Sequence, residues 1–206
     1  MGKIFILMGK SASGKDAIYR NLMADAQLNL RKIIMYTTRP MRQKEEEGVQ
    51  YFFRTEEQFQ ELQAAGKIIE VRTYNTVHGL WRYFTADDGQ IDLSQGDYLM
   101  GSGTPPVYAS IRDYFGAEHV IPLYIEVLPE IRLERSLKRE RRPENRKFSE
   151  MCRRFLADEE DFSEDKLEAI GITRRFENND KIEDCIKEVA EFIKDTDSCE
   201  GTEPWI

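Results

Sequence analysis

The feature that most constrains this chain is a glycine-rich loop that directly follows a short apolar run. Lys3–Met8 (KIFILM) carries the β-branched and aromatic residues typical of a buried parallel strand. Residues 9–15 (GKSASGK) then match G-x-x-x-x-G-K, and a helical pattern runs from Lys15 to about Ala26. In this strand–loop–helix order, backbone N–H groups and the helix N-terminus attract phosphate, and the lysine reaches the β- and γ-phosphate oxygens. The sequence therefore predicts a P-loop that holds the phosphates of ATP.

The loop residues and the residue after them are all predicted to contact ATP: Gly9, Lys10, Ser11, Ala12, Ser13, Gly14, Lys15 and Asp16. Asp16 departs from the usual motif, in which a Ser or Thr hydroxyl at this position binds Mg²⁺. A carboxylate can hold Mg²⁺ directly or through water, and it also places negative charge beside the phosphates. Asp16 is therefore the candidate metal ligand, and Mg²⁺ bound with ATP is the expected cofactor.

The remaining patterns predict an α/β fold whose core is a P-loop NTPase-type parallel sheet flanked by helices. A second core strand is expected at Lys32–Tyr36, and Val120–Val127 (VIPLYIEV) is the clearest buried strand of the second half. Between them, a strand at 51–53, a short helix at 56–65 and a hairpin suggest a small mixed α+β lobe. The predicted domains are a core at 1–38 and 86–195 with a helical lid at about 135–154, a lobe at 39–85, and a tail at 196–206.

Composition limits the classes of partner. The formal net charge of -8 argues against nucleic acid or an anionic membrane as the main partner, because both require a broad basic surface. The apolar run before the loop is too short for a signal peptide or a membrane span, and the three cysteines lack disulfide or zinc spacing. A cytoplasmic protein is expected, and its oligomeric state stays open.

A second phosphate site is indicated after the second strand. Arg39 and Arg42 are three residues apart on a loop constrained by Pro40, and Tyr51 follows. Guanidinium groups bind phosphate in a bidentate manner, so this pair can converge on a dianionic phosphate. The alternative is a solvated surface pair.

Here the sequence resembles the guanylate kinase family, whose T-T-R-x-x-R-x-x-E-x-x-G-x-x-Y pattern is matched from Thr37 to Tyr51. The resemblance implies that Arg39, Arg42 and Tyr51 bind the phosphate of GMP and that Glu45 braces their loop. Further GMP contacts are implied for Glu70 and Thr85 on the base and for Tyr83 on the phosphate. A carboxylate at Glu70 makes chemical sense, because guanine presents N1–H and an amino group side by side whereas adenine presents an acceptor at N1.

Two departures from the family pattern lie near the expected base site. The family usually ends its next core strand with aspartates, whereas this chain has Gly101 and Gly103, with Ser102 and Thr104 as alternative hydroxyl donors. Met35 stands where the family often has a serine. The base and metal sites are therefore expected to be built differently.

A basic segment in this acidic chain resembles the family's lid. Ten Lys or Arg and four Glu lie between Arg132 and Arg154. The resemblance implies that lid arginines neutralise the transferred phosphoryl group and exclude water: Arg135, Arg139 and Arg154. Asn178 falls where the family contacts adenine. A solvated helix pair or a nucleic-acid patch is the alternative.

The expected activity is transfer of a phosphoryl group from ATP to GMP or dGMP in purine nucleotide metabolism. Lys15, Arg39 and the lid arginines are the expected catalytic groups. Two alternatives remain open: a kinase of another nucleoside monophosphate or small phosphometabolite, and a catalytically weak guanylate kinase-like binding module.

Overall fold

A computed structural model describes residues 1–76, 79–142 and 146–198. Its core is a five-stranded sheet with the order β2-β7-β1-β8-β9. The strands are β1 (Ile4–Met8), β2 (Arg31–Lys32), β7 (Tyr98–Gly103), β8 (Val120–Glu126) and β9 (Phe176–Glu177), and every neighbouring pair is parallel. The predicted α/β core with a parallel sheet is confirmed.

Alternating side chains of β1 face two separate apolar layers. Ile4, Ile6 and Met8 pack on one side, against α3 (Pro105–Phe115) and α6 (Glu164–Ala169). Phe5 and Leu7 pack on the other side, against α1 (Lys15–Ala24) and α7 (Ile182–Ser198). Because successive strand residues point to opposite faces, a strand that is apolar throughout must be covered on both sides. Helices on both faces provide that cover, and all five β1 residues are buried.

A second, four-stranded sheet forms the small lobe, with the order β4-β3-β6-β5. Its strands are β3 (Tyr36–Thr37), β4 (Phe52–Phe53), β5 (Ile68–Thr76) and β6 (Gly79–Ala86). Helix α2 (Glu56–Ala64) covers this sheet through Phe59, whose ring lies 5.0 Å from that of Phe84. The helix begins with a capping box between Thr55 and Gln58.

The basic segment forms the end of α4 (Pro129–Glu140) and the start of α5 (Phe148–Asp161). Residues 143–145 of the predicted lid and residues 77–78 of the predicted hairpin lie outside the described residues. So does the predicted tail beyond Ser198, whereas residues 196–198, which were predicted as tail, belong to α7. Within the described part of the chain, no helix is both long and apolar enough to cross a bilayer.

The predicted strand at Lys32–Tyr36 is wrong. Its first residue closes β2 in the core sheet, its last opens β3 in the lobe sheet, and Ile33–Met35 connect the two without strand pairing. Ile33 and Met35 are buried where the chain crosses between the sheets, so their apolar character reflects burial and not strand pairing. The first helix ends at Ala24 rather than Ala26, and α3, α6 and β9 had no sequence prediction.

Candidate active site

The P-loop between β1 and α1 has a backbone that requires glycine at its last turn. Gly14 has a φ of 87°, and a Cβ there would lie 2.6 Å from Nδ2 of Asn178. That Nδ2 group donates a 2.7 Å hydrogen bond to the carbonyl oxygen of Ser13. The Asn178 amide therefore fixes the loop from β9, and the predicted adenine contact of Asn178 stays a prediction. Its Oδ1 atom is buried without a hydrogen-bond partner among the described residues.

A charged cluster lies against the first half of the loop. Arg132 on α4 is 1% exposed and donates to the Ser11 carbonyl and to carboxylates of Asp158 and Glu159 on α5. Asp158 accepts the Ser11 N–H at 2.6 Å, and Glu159 pairs with Lys10 at 2.7 Å. The side chain of Lys10 is thus directed to α5. This cluster ties the loop, α4 and α5 together.

A cavity of about 310 Å³ lies in front of the loop and contains several of the predicted catalytic side chains. Lys15, Asp16, Arg135 and Arg139 line it together with residues 12–14. Arg135 is held in place by a 2.9 Å hydrogen bond to the backbone oxygen of Asn178. The concentration of guanidinium groups beside a lysine suits a ligand with several negative phosphate oxygens.

Sequence reasoning missed Arg20, which lines the same cavity. It lies one helical turn after Asp16 on α1, and its Nε donates to the Asp16 carbonyl at 3.2 Å. The i, i+4 spacing was the available signal. By contrast, Arg154 does not line the cavity, because its Nε pairs with Glu150 at 2.8 Å on the exposed surface of α5.

Residues 38–51 connect β3 to β4 and carry the predicted acceptor phosphate site, so this segment is called the acceptor loop. It is organised around Arg39, which is 4% exposed. Its guanidinium forms a two-pronged pair with Glu45 at 2.7 and 2.6 Å, and it lies over the rings of Tyr51 and Phe53. Hydrogen bonding from Arg39 lowers the pKa of the Glu45 carboxyl from 4.5 to about 2. The Arg42 N–H donates to the same carboxylate at 2.9 Å. Glu45 therefore fixes the loop that carries both arginines, while the Arg42 side chain itself is exposed.

Two predicted tyrosines meet beside this loop. The rings of Tyr51 and Tyr83 contact edge to face with centroids 5.6 Å apart, which brings β6 to the acceptor loop. Burial raises the pKa of the Tyr51 hydroxyl, so Tyr51 stays protonated and can donate to a phosphate oxygen at neutral pH.

Glu70 is buried in the lobe at 6% exposure. One carboxylate oxygen accepts the Thr85 hydroxyl at 2.9 Å, and the other faces Nε of Arg72 at 3.4 Å. Burial raises the pKa of Glu70, whereas Arg72 and Thr85 oppose the rise. Nη2 of Arg72 donates a hydrogen bond to the Met35 thioether sulfur at 3.2 Å. Glu70 and Thr85, predicted as base contacts, are thus in direct contact with each other, and Arg72 was missed by sequence reasoning.

A larger cavity of about 540 Å³ separates α1 from the acceptor loop. Asp16, Tyr19 and Arg20 line it from α1, and residues 49–51 line it from the acceptor loop. Met35, Met100, Gly101 and Ser102 also line it. Asp16 and Arg20 line both cavities, so the two adjoin each other along α1.

The glycines that replace the family's aspartates have a packing reason. A Cβ on Gly101 would lie 2.7 Å from the Tyr19 ring, and a Cβ on Gly103 would lie 2.4 Å from Ile6. No side chain fits at either position without rearrangement. Ser102 is exposed in the cavity, while Thr104 is the residue before α3 and does not line it.

Within the described chain, no group of three or more His, Cys, Asp or Glu side chains is placed to hold a metal ion. Asp16 is the carboxylate that lines the cavity with Lys15. Mg²⁺ binds through one or two carboxylates together with substrate phosphates and water, so a single carboxylate there fits a nucleotide-bound Mg²⁺.

Comparison with known proteins points to one family. The family model for guanylate kinase matches residues 1–80. The guanylate kinase of Mycoplasma pneumoniae is 42% identical over 74 residues, which cover 36% of this chain and 31% of that protein. The guanylate kinase of Mycoplasma mobile is 44% identical over 79 residues, covering 38% of this chain and 39% of that protein. The matches thus span about a third to two fifths of the length of these relatives.

The fold comparison extends over nearly the whole chain. A crystal structure of guanylate kinase from Anaplasma phagocytophilum superposes with a TM-score of 0.65 at 21% sequence identity. It covers 97% of this chain and 88% of that one. The predicted fold class is confirmed, and the sequence resemblance is confirmed over residues 1–80.

Proposed function

We propose that the protein transfers the γ-phosphoryl group of ATP to GMP or dGMP, on the premise of the guanylate kinase family match over residues 1–80. The products are ADP and GDP or dGDP. This reaction needs two phosphate-binding sites that face each other.

One observation supports the proposal: the helix that follows the P-loop and the acceptor loop line the same cavity. Asp16 and Arg20 of α1 line it on the donor side, and Tyr51 lines it on the acceptor side. Arg39 contacts the Tyr51 ring. A donor phosphate at the P-loop and an acceptor phosphate at Arg39 and Arg42 would therefore approach each other across this space.

Catalysis would come from positioning and charge neutralisation, with no covalent enzyme intermediate. Lys15 would bind the β- and γ-phosphate oxygens of ATP, and backbone N–H groups of residues 12–15 would orient them. Arg135 and Arg139, in the same cavity, would stabilise the negative charge that spreads over the transferred group. Arg20 joins this set by its position, although the sequence prediction did not include it.

Mg²⁺, when bound with ATP, would neutralise charge between the β- and γ-phosphates. Asp16 would hold it, directly or through water. Arg20 lies one turn further along α1, and its Nε donates a hydrogen bond to the Asp16 backbone oxygen. This bond holds the Arg20 guanidinium against the first turn of α1, which carries the Asp16 carboxylate.

The acceptor phosphate would be held by Arg42, whose side chain is exposed at the loop surface, and by Tyr51 and Tyr83. Arg39 would contribute mainly through charge and through the shape of the loop, since Glu45 and the Pro40 carbonyl already take three of its hydrogen bonds. Glu45 would brace this loop, a role that its hydrogen bonds from Arg39 and from the Arg42 N–H support.

A different acceptor is the second candidate. The absence of a side chain at Gly101 and the thioether at Met35 remove polar groups from the cavity wall, which favours a base or metabolite recognised by other contacts.

The deciding experiment is ADP release in a coupled assay with ATP and Mg²⁺ across GMP, dGMP, AMP, CMP and UMP. The expected result is the highest kcat/KM for GMP or dGMP. Faster turnover of AMP, CMP or UMP would overturn the guanine assignment. Binding of ATP and GMP without product over hours would instead identify a non-catalytic binding module.

A further inference from the structure

The Glu70–Arg72 ion pair is loose, and two of its buried polar atoms make no hydrogen bond among the described residues. Oε2 of Glu70 and Nε of Arg72 are 3.4 Å apart, and neither has a hydrogen-bond partner among the described residues. The Glu70 side chain is 3% exposed. Buried polar atoms that lack partners are rare in native proteins, and a bound ligand is one common explanation.

The pair lies behind Met35, a residue of the large cavity's wall, although neither Glu70 nor Arg72 lines that cavity itself. Glu70 and Arg72 are two residues apart on β5, so their side chains lie on the same face of the strand. Arg72 extends from Glu70 to the Met35 sulfur, and Met35 lines the cavity between α1 and the acceptor loop. A thioether is a weak acceptor, so this contact leaves the guanidinium with donor capacity.

We propose that Arg72 is a second base-reading residue, which binds O6 and N7 of guanine while Glu70 binds N1–H and the 2-amino group. The inference rests on the proposed acceptor and adds a specificity-determining residue to it. Arginine pairs with O6 and N7 of guanine through two parallel hydrogen bonds, which is its commonest specific contact to a base.

The order of charges explains the selectivity. Along its edge guanine presents the 2-amino group, N1–H and O6 in sequence, which is two donors followed by an acceptor. A carboxylate followed by a guanidinium is complementary to that order. Adenine presents an acceptor at N1 and a donor at N6, so it would oppose both side chains at once. The pair therefore supplies the polarity that the glycines at 101 and 103 do not.

The test compares GMP with 7-deaza-GMP, which lacks N7, in the wild-type protein and in Arg72→Lys. Lysine keeps a positive charge beside Glu70 but cannot donate two parallel hydrogen bonds. A bidentate base contact corresponds to about a tenfold change or more in affinity. The KM for GMP is expected to rise about tenfold in Arg72→Lys, and the preference of the wild type for GMP over 7-deaza-GMP is expected to disappear.

Arg82→Lys is the matched control. Arg82 is in the same hairpin and pairs with Glu56 of α2, and its strand neighbour is Thr73 rather than Arg72. Arg82→Lys should leave the ratio of the KM for GMP to the KM for 7-deaza-GMP unchanged. Circular dichroism melts and the KM for ATP report on folding in each variant.

An equal rise in the KM for GMP and in the KM for 7-deaza-GMP in Arg72→Lys would overturn the inference, because Arg72 would then act only by supporting Glu70. Calorimetric binding of both nucleotides separates this outcome from failure of the proposed reaction. Selective loss of GMP binding in a protein that releases no ADP would uphold base reading and reject the kinase. Normal GMP turnover without a selective loss of GMP binding in Arg72→Lys would uphold the kinase and reject base reading by Arg72.

Discussion

The proposed donor site is shaped mainly by the backbone of the P-loop, whereas the proposed acceptor site is shaped by side chains that pair with one another. The loop is shaped by the left-handed turn at Gly14 and by the Asn178 amide behind it. The lobe is shaped by ion pairs, Arg39 with Glu45 and Arg72 with Glu70. Donor binding should therefore depend on backbone geometry, and acceptor binding on charge.

The largest effect is expected from removing the P-loop lysine, whose charge the loop's backbone cannot replace. Lys15→Ala should lower kcat by about 10²- to 10³-fold, because charge stabilisation at the transferred phosphoryl group is lost. The melting temperature should stay within a few degrees of wild type, since Lys15 lies in an open cavity. Steady-state ADP release measures the first quantity and calorimetry the second.

Lys187→Ala serves as its control, because Lys187 is exposed on α7 and pairs with Glu191 one helical turn away. Turnover that survives in Lys15→Ala at the level of this control would mean that the loop's lysine is not catalytic.

The second prediction tests whether backbone geometry governs the donor side. Gly14→Ala adds a Cβ that strains the turn and meets the Asn178 amide, whereas Gly66→Ala adds one at a similar φ of 69° with nothing within 4 Å. The left-handed conformation should cost each variant about 1 to 2 kcal/mol. The additional loss of stability and the rise in KM for ATP should appear in Gly14→Ala alone. Chemical denaturation and ATP titration compare the two variants. Identical behaviour would show that the Asn178 amide does not shape the P-loop.

The sequence predicts the strand and helix that flank the P-loop well because their determinants are contiguous. Strand, loop and helix follow one another within residues 3–24, and each has a local pattern that is visible without knowledge of distant neighbours. The same holds for the acceptor loop, where Arg39 and Glu45 are six residues apart and form the closest ion pair of the lobe.

Contacts between distant segments were not predictable. Asn178 reaches Ser13 across 165 positions, and Arg132 reaches Ser11 across 121. The apolar run at Ile33–Met35 failed as a strand for the same reason, since its burial arises from the crossing between two sheets. Arg72 was missed because a charged residue on a hairpin has the pattern of a solvent-facing position, and its contact with Met35 appears only after folding.

The third prediction turns to charge on the acceptor side. Glu70→Gln keeps an oxygen that can accept the Thr85 hydroxyl but removes the negative charge that faces Arg72. The KM for GMP should rise about tenfold, since a base edge pair contributes about 1 to 3 kcal/mol, while the KM for ATP should change little. Thr85→Val is a useful companion because it removes the hydroxyl and leaves the charge. Unchanged GMP kinetics in Glu70→Gln would show that this carboxylate does not contact the base.

The smallest effect concerns the acid stability of the acceptor loop. The Arg39 guanidinium lowers the pKa of Glu45 from 4.5 to about 2 in the folded protein. A depressed pKa means that the ionised carboxylate stabilises the fold, so this contribution is fully present above pH 4.5 and is lost as the pH falls toward 2. Hydrogen bonds to a charged partner suggest a contribution of about 1 to 2 kcal/mol. Urea unfolding of wild type and Glu45→Gln should therefore differ at pH 6 and converge toward pH 2. Glu150 also has a pKa of about 2 through Arg153 and Arg154, but it titrates in both proteins and cancels in the difference. A difference that stays constant across this range would mean that the Arg39–Glu45 pair shapes the loop without stabilising it, and the acceptor lobe would then depend on charge for binding alone.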